Sequence, residues 1–158
     1  MADRPKGNDP AVRALALRSL AGDCAKWGDG GTVDSWVDIL RGVHLNENGF
    51  EIAKDLDRAY RVTGIDAELV EILDGASSHL WSAHRDAVQA WAAAEGVKPT
   101  LAIGQRIECR YGRGVINGID EEIAVYLLKP DGEEDRFSQG GGVHVAYETA
   151  TLIDQVPA

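Results

Sequence analysis

The side chains best suited to acid–base or nucleophilic chemistry lie together in the segment D-G-A-S-S-H, residues 74–79. Asp74 and Ser78 are four residues apart and would share one face of a helix, with His79 beside them. A hydrolytic triad normally gathers its members from separate elements, which one helix cannot do. The segment therefore favours a polar helix face over a nucleophilic site, and we predict no catalytic residues.

The four histidines, His44, His79, His84 and His144, offer little support for a metal site. His79 and His84 are five residues apart, which turns them about 140° from each other on a helix. Paired zinc ligands on a helix usually lie three or four residues apart. We predict no bound metal.

Two glycine-rich stretches raise the question of phosphate binding. They are C-R-Y-G-R-G-V-I-N-G-I-D at residues 109–120 and S-Q-G-G-G-V-H-V at residues 138–145. A phosphate loop needs a helix N-terminus after its glycines, and both stretches lead into strand-like patterns instead. We interpret them as turns or bulges and predict no cofactor. In the first stretch, Gly112 and Gly114 would permit a turn with Arg113 at its tip, and Val115 and Ile119 would face the core.

The chain is acidic along its whole length. Its 158 residues include 16 basic and 26 acidic side chains, for a net charge of −10, and 44% are hydrophobic. This composition is typical of a folded globular protein. A chain this acidic lacks the broad positive field that drives nucleic-acid binding, so a basic protein partner is the better electrostatic match. The alternative is that the charge serves only solubility.

Cys24 and Cys109 are far apart and form neither a disulfide framework nor a metal-ligand pair. Such usage favours a reducing compartment. The first ten residues contain no apolar run, and no stretch approaches the roughly 18 apolar residues of a membrane span. The sequence thus predicts a cytoplasmic protein with no membrane partner.

Residues 9–97 have the patterns of a bundle of about four helices. The predicted helix starts are Asp9–Pro10, Thr32, Phe50 and Asp66. The last pattern continues to residue 95, and Gly75 within it is a point where a kink or break is expected. In the third helix we expect an inward face made of Phe50, Ala53, Leu56, Ala59 and Tyr60.

After Pro99 the apolar pattern changes from helical spacing to alternation. The predicted strands are around residues 107–111, 115–119, 123–128, 135–138 and 143–147. Five short strands with tight turns indicate a small antiparallel barrel. The predicted fold class is therefore α+β, divided into a flexible N-terminus at residues 1–8, a helical domain at 9–97 and a barrel domain at 98–158.

The pattern I-G-Q-R-I-E-C-R-Y-G-R-G-V-I-N-G-I, followed by I-A-V-Y-L-L and a D-G turn, resembles Tudor-like or KOW-like SH3 barrels. The resemblance implies a docking module without catalytic residues of its own. The helical part has no such resemblance. A compact acidic helical unit joined to a small barrel is similar in style to accessory proteins of phages and plasmids.

These patterns lead to a hypothesis of a non-catalytic interaction protein that inhibits or modulates a basic, nucleic-acid-handling protein, in the manner of a phage anti-defence factor. Trp81 is included among its contacts because it follows the stripe residue Leu80 and should face away from the core. The complete set of predicted protein-binding residues is Tyr111, Arg113, Asp120, Glu121, Glu122, Glu133, Glu134, Asp135 and Trp81.

Two other functions remain open from sequence. A nucleic-acid-binding module would use a local basic and aromatic patch composed of Arg106, Arg110, Arg113, Tyr111 and Tyr126. An enzyme would need an unrecognised pocket with converging titratable groups. Self-association as a homodimer is compatible with each of these hypotheses.

Overall fold

A computed structural model describes residues 2–28, 31–59, 61–133, 137 and 141–153. In these residues the protein is mixed α+β, with its helices N-terminal to an antiparallel sheet. The chain forms two compact units, Pro5–Ala87 and a second one made of Met1–Arg4 with Val88–Ala158. The sequence places a boundary near residue 98, whereas the compact units divide within the last helix.

The second, third and fourth helices begin at residues whose side chains cap them, whereas Asp9 precedes the first helix without a side-chain capping hydrogen bond. The helices are α1 (Pro10–Cys24), α2 (Val33–Ile39), α3 (Gly49–Arg58), α4 (Ala67–Asp74) and α5 (Ala76–Glu95). The side chains of Thr32, Asn48 and Asp66 each accept a hydrogen bond from a first-turn backbone N–H. The long last pattern breaks at Gly75, which ends α4.

The core of the helical unit includes Leu20, Trp36, Leu40, Ile52, Leu56, Leu69 and Leu73. The inward face predicted for α3 is partly wrong, because Phe50 is 64% exposed and Ala59 is exposed as well. Gly49, Ile52, Ala53 and Leu56 are the buried residues, at helical spacing i, i+3, i+4 and i+7. Phe50 is one position off this stripe. Tyr60 lies outside the described residues.

The described residues of the second unit contain a five-stranded sheet in the order β4–β3–β2–β1–β5. Its strands are β1 (Arg106–Cys109), β2 (Gly112–Asp120), β3 (Val125–Pro130), β4 (Val143–Ala146) and β5 (Thr151–Leu152), with a 3₁₀ helix at Tyr147–Thr149. β4 and β5 are its edges, so the sheet is open in the described part of the chain. Its fifth strand is 151–152, and the strand predicted at 135–138 lies almost wholly outside the described residues.

One face of the sheet packs with the end of α5. The buried residues of this cluster include Val88, Trp91, Ile107, Ile116, Tyr126, Leu128 and Tyr147. Ile116 is fully buried and Val115 is only partly buried, which corrects the prediction for Val115. The reason is register: Val115 pairs with the outward Arg106, and Gly114 pairs with the inward Ile107. Ile119 is partly buried at the edge of the cluster, beyond a register shift between Ile116 and Gly118.

Candidate protein-binding surfaces

The first hairpin places Arg110 and Tyr111 at its tip. Cys109 pairs with Gly112, whose φ of 102° is open to glycine and rare for other residues. Arg113 therefore belongs to the strand β2 and not to the turn, contrary to the sequence prediction. Tyr111 is 46% exposed, and the Arg110 guanidinium carbon lies 4.5 Å from the centre of its ring.

The cationic side chains beside this tip are held by carboxylates across the strands. The Nε of Arg113 donates to Glu108 at 3.2 Å, and Arg106 forms an ion pair with Asp131. Tyr126 is completely buried, and its hydroxyl accepts hydrogen bonds from the backbone N–H groups of residues 100 and 101. The proposed basic and aromatic patch consequently loses Tyr126, because that side chain belongs to the core.

The acidic residues predicted to bind a protein partner are divided between the two ends of the sheet. Glu133 follows β3 at the end that carries Tyr111, since Asp131 N–H donates to the Arg113 carbonyl. Asp120 ends β2 at the other end, and the nine residues of that strand span about 25 Å. Glu134 and Asp135 lie outside the described residues.

Asp120, Glu121 and Glu122 form a compact turn between β2 and β3, which we call the acidic turn. The Oδ1 atom of Asp120 accepts hydrogen bonds from the backbone N–H groups of Glu122, at 3.0 Å, and Ile123, at 3.4 Å. Glu121 and Glu122 are exposed at the surface. Local hydrogen bonds thus fix the turn backbone while its glutamate side chains face solvent.

Tyr147 contacts the acidic turn from the core side through a hydrogen bond. Its hydroxyl donates to the Asp120 carbonyl at 3.3 Å. Burial, reinforced by the negative charge of Glu121, raises the pKa of Tyr147 to about 12. The phenol is therefore neutral at physiological pH and remains a hydrogen-bond donor.

Arg4 binds at the end of the sheet that carries the acidic turn. The sequence does not predict these contacts. Its guanidinium contacts the carbonyls of Ile123 and Ala124 and the carboxylate of Glu148, and lies over the ring of Trp91. The sequence predicts a flexible N-terminus at residues 1–8, which includes Arg4. No local pattern could have identified these contacts, because Arg4 and Glu148 are 144 positions apart.

In the helical unit, Trp81 lies on the surface with 53% of its area exposed. The Arg85 guanidinium carbon is 5.0 Å from the centre of its ring. This exposure agrees with the position of Trp81 off the apolar stripe. An exposed tryptophan in contact with an arginine has the composition of an interface anchor.

The residues of the segment 74–79 do not converge on a reactive centre. The Asp74 carboxylate accepts a hydrogen bond from the Gly49 backbone N–H at 2.8 Å. The Nε2 of His79 lies 3.1 Å from a carboxylate oxygen of Asp23 instead. A hydrogen bond from Lys26, with a further contribution from His79, lowers the pKa of the Asp23 carboxyl. Both carboxylates are thus engaged in contacts that connect helical segments or helix ends.

A cavity of about 560 Å³ opens on the helical unit. Its lining includes Arg13, His44 and Glu47, and Arg13 donates to the Val43 carbonyl at 3.3 Å. In the described ranges, histidine, cysteine and carboxylate side chains nowhere gather in the groups of three or more that would hold a metal ion. Among the same residues, the helical segments lack the continuous apolar length needed to cross a bilayer.

No protein-family model, curated protein or solved structure matches this chain.

Proposed function

We propose that this protein is a non-catalytic interaction protein that docks its acidic turn on a basic surface of a nucleic-acid-handling protein and so inhibits or modulates it. The observation that carries the proposal is the clustering of Asp120, Glu121 and Glu122 on one exposed turn. At the other end of the sheet, Arg106 and Arg113 are paired with carboxylates. Three consecutive carboxylates, two of them exposed, favour an oppositely charged partner at the acidic turn.

Electrostatic complementarity supports this choice of partner. The net charge of −10 attracts basic surfaces over distances of about a Debye length and repels nucleic acid. Charge of this kind raises association rates and disfavours partners of the same sign. Proteins that bind nucleic acid have the basic surfaces that fit, and an acidic protein bound there would compete with the nucleic acid.

The test is affinity capture from the source cells followed by mass spectrometry, with two variants of equal charge change. Glu121→Lys/Glu122→Lys alters the acidic turn, and Asp57→Lys/Glu71→Lys alters exposed residues of the helical unit. We expect the acidic-turn variant to lose a basic partner that wild type and the control retain, with binding that weakens as salt rises. Equal capture by both variants would contradict docking at this turn.

A second candidate function, nucleic-acid binding, is favoured by the exposed Arg110–Tyr111 stack at the hairpin tip. Base stacking on an aromatic ring beside an arginine is a common element of single-strand binding. A gel-shift titration at low salt tests it, with Tyr111→Ala as the variant. Absence of binding to single- and double-stranded probes at micromolar protein would remove this candidate.

We also propose that the sheet closes into an SH3-like barrel. Strands β1 to β4 pair in sequence order and β5 returns to β1, so that only a β4–β5 ladder is needed to close a barrel. Nuclear Overhauser contacts between backbone protons of these two strands would establish closure. We also propose a cytoplasmic location, where both free cysteines would remain reduced.

A further inference from the structure

The end of the sheet that carries the acidic turn contains a cleft that holds a guanidinium group. One nitrogen of Arg4 donates to the Ala124 carbonyl at 3.2 Å and to the Glu148 carboxylate at 3.2 and 3.3 Å. The other terminal nitrogen donates to the Ile123 carbonyl. The guanidinium carbon lies 5.5 Å from the centre of the Trp91 ring.

These partners match arginine in particular. A planar guanidinium presents donors in fixed directions and an extended face, so it can serve two carbonyls, a carboxylate and an aromatic ring together. A lysine ammonium is a compact charge that cannot reproduce this arrangement. The side chains of Arg4 and Glu148 are only 20% and 23% exposed, so the cleft removes most of this ion pair from water.

The walls of the cleft are held by contacts that do not involve Arg4. Ala124 N–H donates to the Glu121 carbonyl, and Tyr147 N–H donates to the Ala124 carbonyl at 3.2 Å. Ala124 is 1% exposed and has a φ of 50°, which reverses the chain where the two carbonyls meet the guanidinium. Trp91 is packed in the core and 7% exposed. The two backbone hydrogen bonds thus fix the position of the Ala124 carbonyl without any contribution from Arg4.

We propose that this cleft is a binding site for an arginine side chain of the basic partner, and that Arg4 occupies it as an internal substitute until the partner displaces it. The identity of the partner rests on the proposed function above. The position of the cleft supports the exchange, because Ile123 directly follows the acidic turn and a basic segment could contact both together. Arg4 is tethered to the protein, so a displacing arginine needs such additional contacts.

Displacement would also release the residues before Arg4. The indole Nε1–H of Trp91 donates to the Ala2 carbonyl at 2.9 Å. When an external arginine takes the cleft, the Ala2–Arg4 segment loses its anchor and this hydrogen bond changes. The Trp91 indole N–H is thus a direct reporter of which arginine occupies the site.

The experiment uses the 158-residue chain and the peptide Ala-Asp-Arg-Pro-Lys-Gly, which repeats residues 2–7. Calorimetric titration compares wild type, Arg4→Ala and the control Arg18→Ala, which removes an exposed arginine of the helical unit. We expect Arg4→Ala to bind the peptide at least about tenfold more tightly than the other two proteins, because its cleft is vacant. Replacing the peptide arginine with lysine should weaken binding by about tenfold or more.

Equal binding to Arg4→Ala and wild type, or equal binding of the arginine and lysine peptides, would overturn the proposal. Adding Glu148→Gln to Arg4→Ala should weaken peptide binding, since it removes the carboxylate charge. If Arg4→Ala does not fold, wild type is titrated with excess peptide while the Trp91 indole resonance, assigned with Trp91→Phe, is followed by NMR. A shift with the arginine peptide alone supports the cleft, and no shift at saturating peptide contradicts it.

These outcomes are independent of the capture experiment. Peptide binding at the cleft without capture of a basic protein would leave the arginine site standing and remove the proposed function. Capture that depends on the acidic turn, combined with no preference for the arginine peptide, would support the proposed function and remove the arginine site.

Discussion

Arg113 lies directly opposite Glu108 in the antiparallel register of β1 and β2, with its Nε 3.2 Å from a carboxylate oxygen. Both side chains are more than half exposed, at 62% and 54%. The pair is therefore a solvated cross-strand contact of modest strength. It also places Arg113 at the end of the sheet away from the acidic turn.

We expect Arg113→Glu to destabilise the protein by about 0.5–1 kcal/mol, since an attraction becomes a like-charge contact. Glu108→Arg combined with Arg113→Glu restores the opposite charges and should recover most of this loss. Urea unfolding of the two single variants and the double variant measures the coupling, which should shrink as salt rises. Strictly additive effects would show that the two side chains do not interact in solution.

The same variant also tests the position of the docking surface. Because Arg113 and the acidic turn are at opposite ends of β2, Arg113→Glu should leave capture of a basic partner unchanged. Loss of capture with the fold intact would relocate docking to the hairpin tip.

Gly49 provides a test of helix packing. A Cβ at this position would lie 2.2 Å from the Val70 carbonyl oxygen and 2.5 Å from the Asp74 nitrogen, both of them backbone atoms of α4. We expect Gly49→Ala to destabilise the protein by about 2 kcal/mol or more, because the two helices must separate. Chemical denaturation measures the change in the free energy of unfolding.

Gly22 is the matched control for this substitution. It lies within α1, and a Cβ there would meet no atom within 4 Å. Gly22→Ala should stabilise the protein by about 0.5–1 kcal/mol through helix propensity. Similar destabilisation by both substitutions would contradict the close approach of α3 and α4.

The Cys24 thiol should resist alkylation in the folded protein. Burial raises the pKa of the Cys24 thiol to about 12, so thiolate is scarce at pH 8 and reagents have no access. Mass spectrometry after native maleimide labelling should find Cys24 unmodified in the Cys109→Ser variant. The same variant should label fully in urea. Rapid native labelling of Cys24 would show that the helical core opens more readily than its packing indicates.

Tyr147 should make the protein sensitive to alkaline pH. Its pKa is about 12 in the folded state against 10 for an ordinary tyrosine, so folding favours the protonated phenol. The stability that it contributes is complete below pH 10 and is lost as pH rises toward 12. Between these values, wild type should lose more stability than Tyr147→Phe.

Absorbance titration of tyrosinate checks the cause of this shift. Because the Glu121 charge contributes to the raised pKa, Glu121→Gln should move the Tyr147 transition to lower pH. Glu71→Gln, on the helical unit, should leave it unchanged. Identical titrations of wild type and Glu121→Gln would place the acidic turn farther from the phenol.

Much of the helical part could be predicted because its signals are local. The side chains of Thr32 and Asp66 each accept a hydrogen bond from a backbone N–H only three residues farther along the chain. Gly75 ends α4 at its own position. The inward face of α3 was harder to predict. Gly49 contributes to that face because α4 approaches it closely, and glycine carries no hydrophobic signal in a sequence pattern.

The sheet shows the same division. Alternation after Pro99 predicted strands, whereas register decided that Ile116 and not Val115 enters the core. The change of register between Ile116 and Gly118 depends on pairing with β3, which a single strand does not encode in its own pattern.

By itself, the sequence determined the acidic charge, the helix starts and the change from helical to alternating spacing, because each depends on composition or on neighbours a few residues apart. Only the tertiary structure separated Tyr111 from the acidic turn and brought Arg4 to Glu148. These relationships depend on strand length, register and contacts across more than a hundred positions. The cleft in which Arg4 lies therefore forms through tertiary contacts, and local sequence propensity does not predict it.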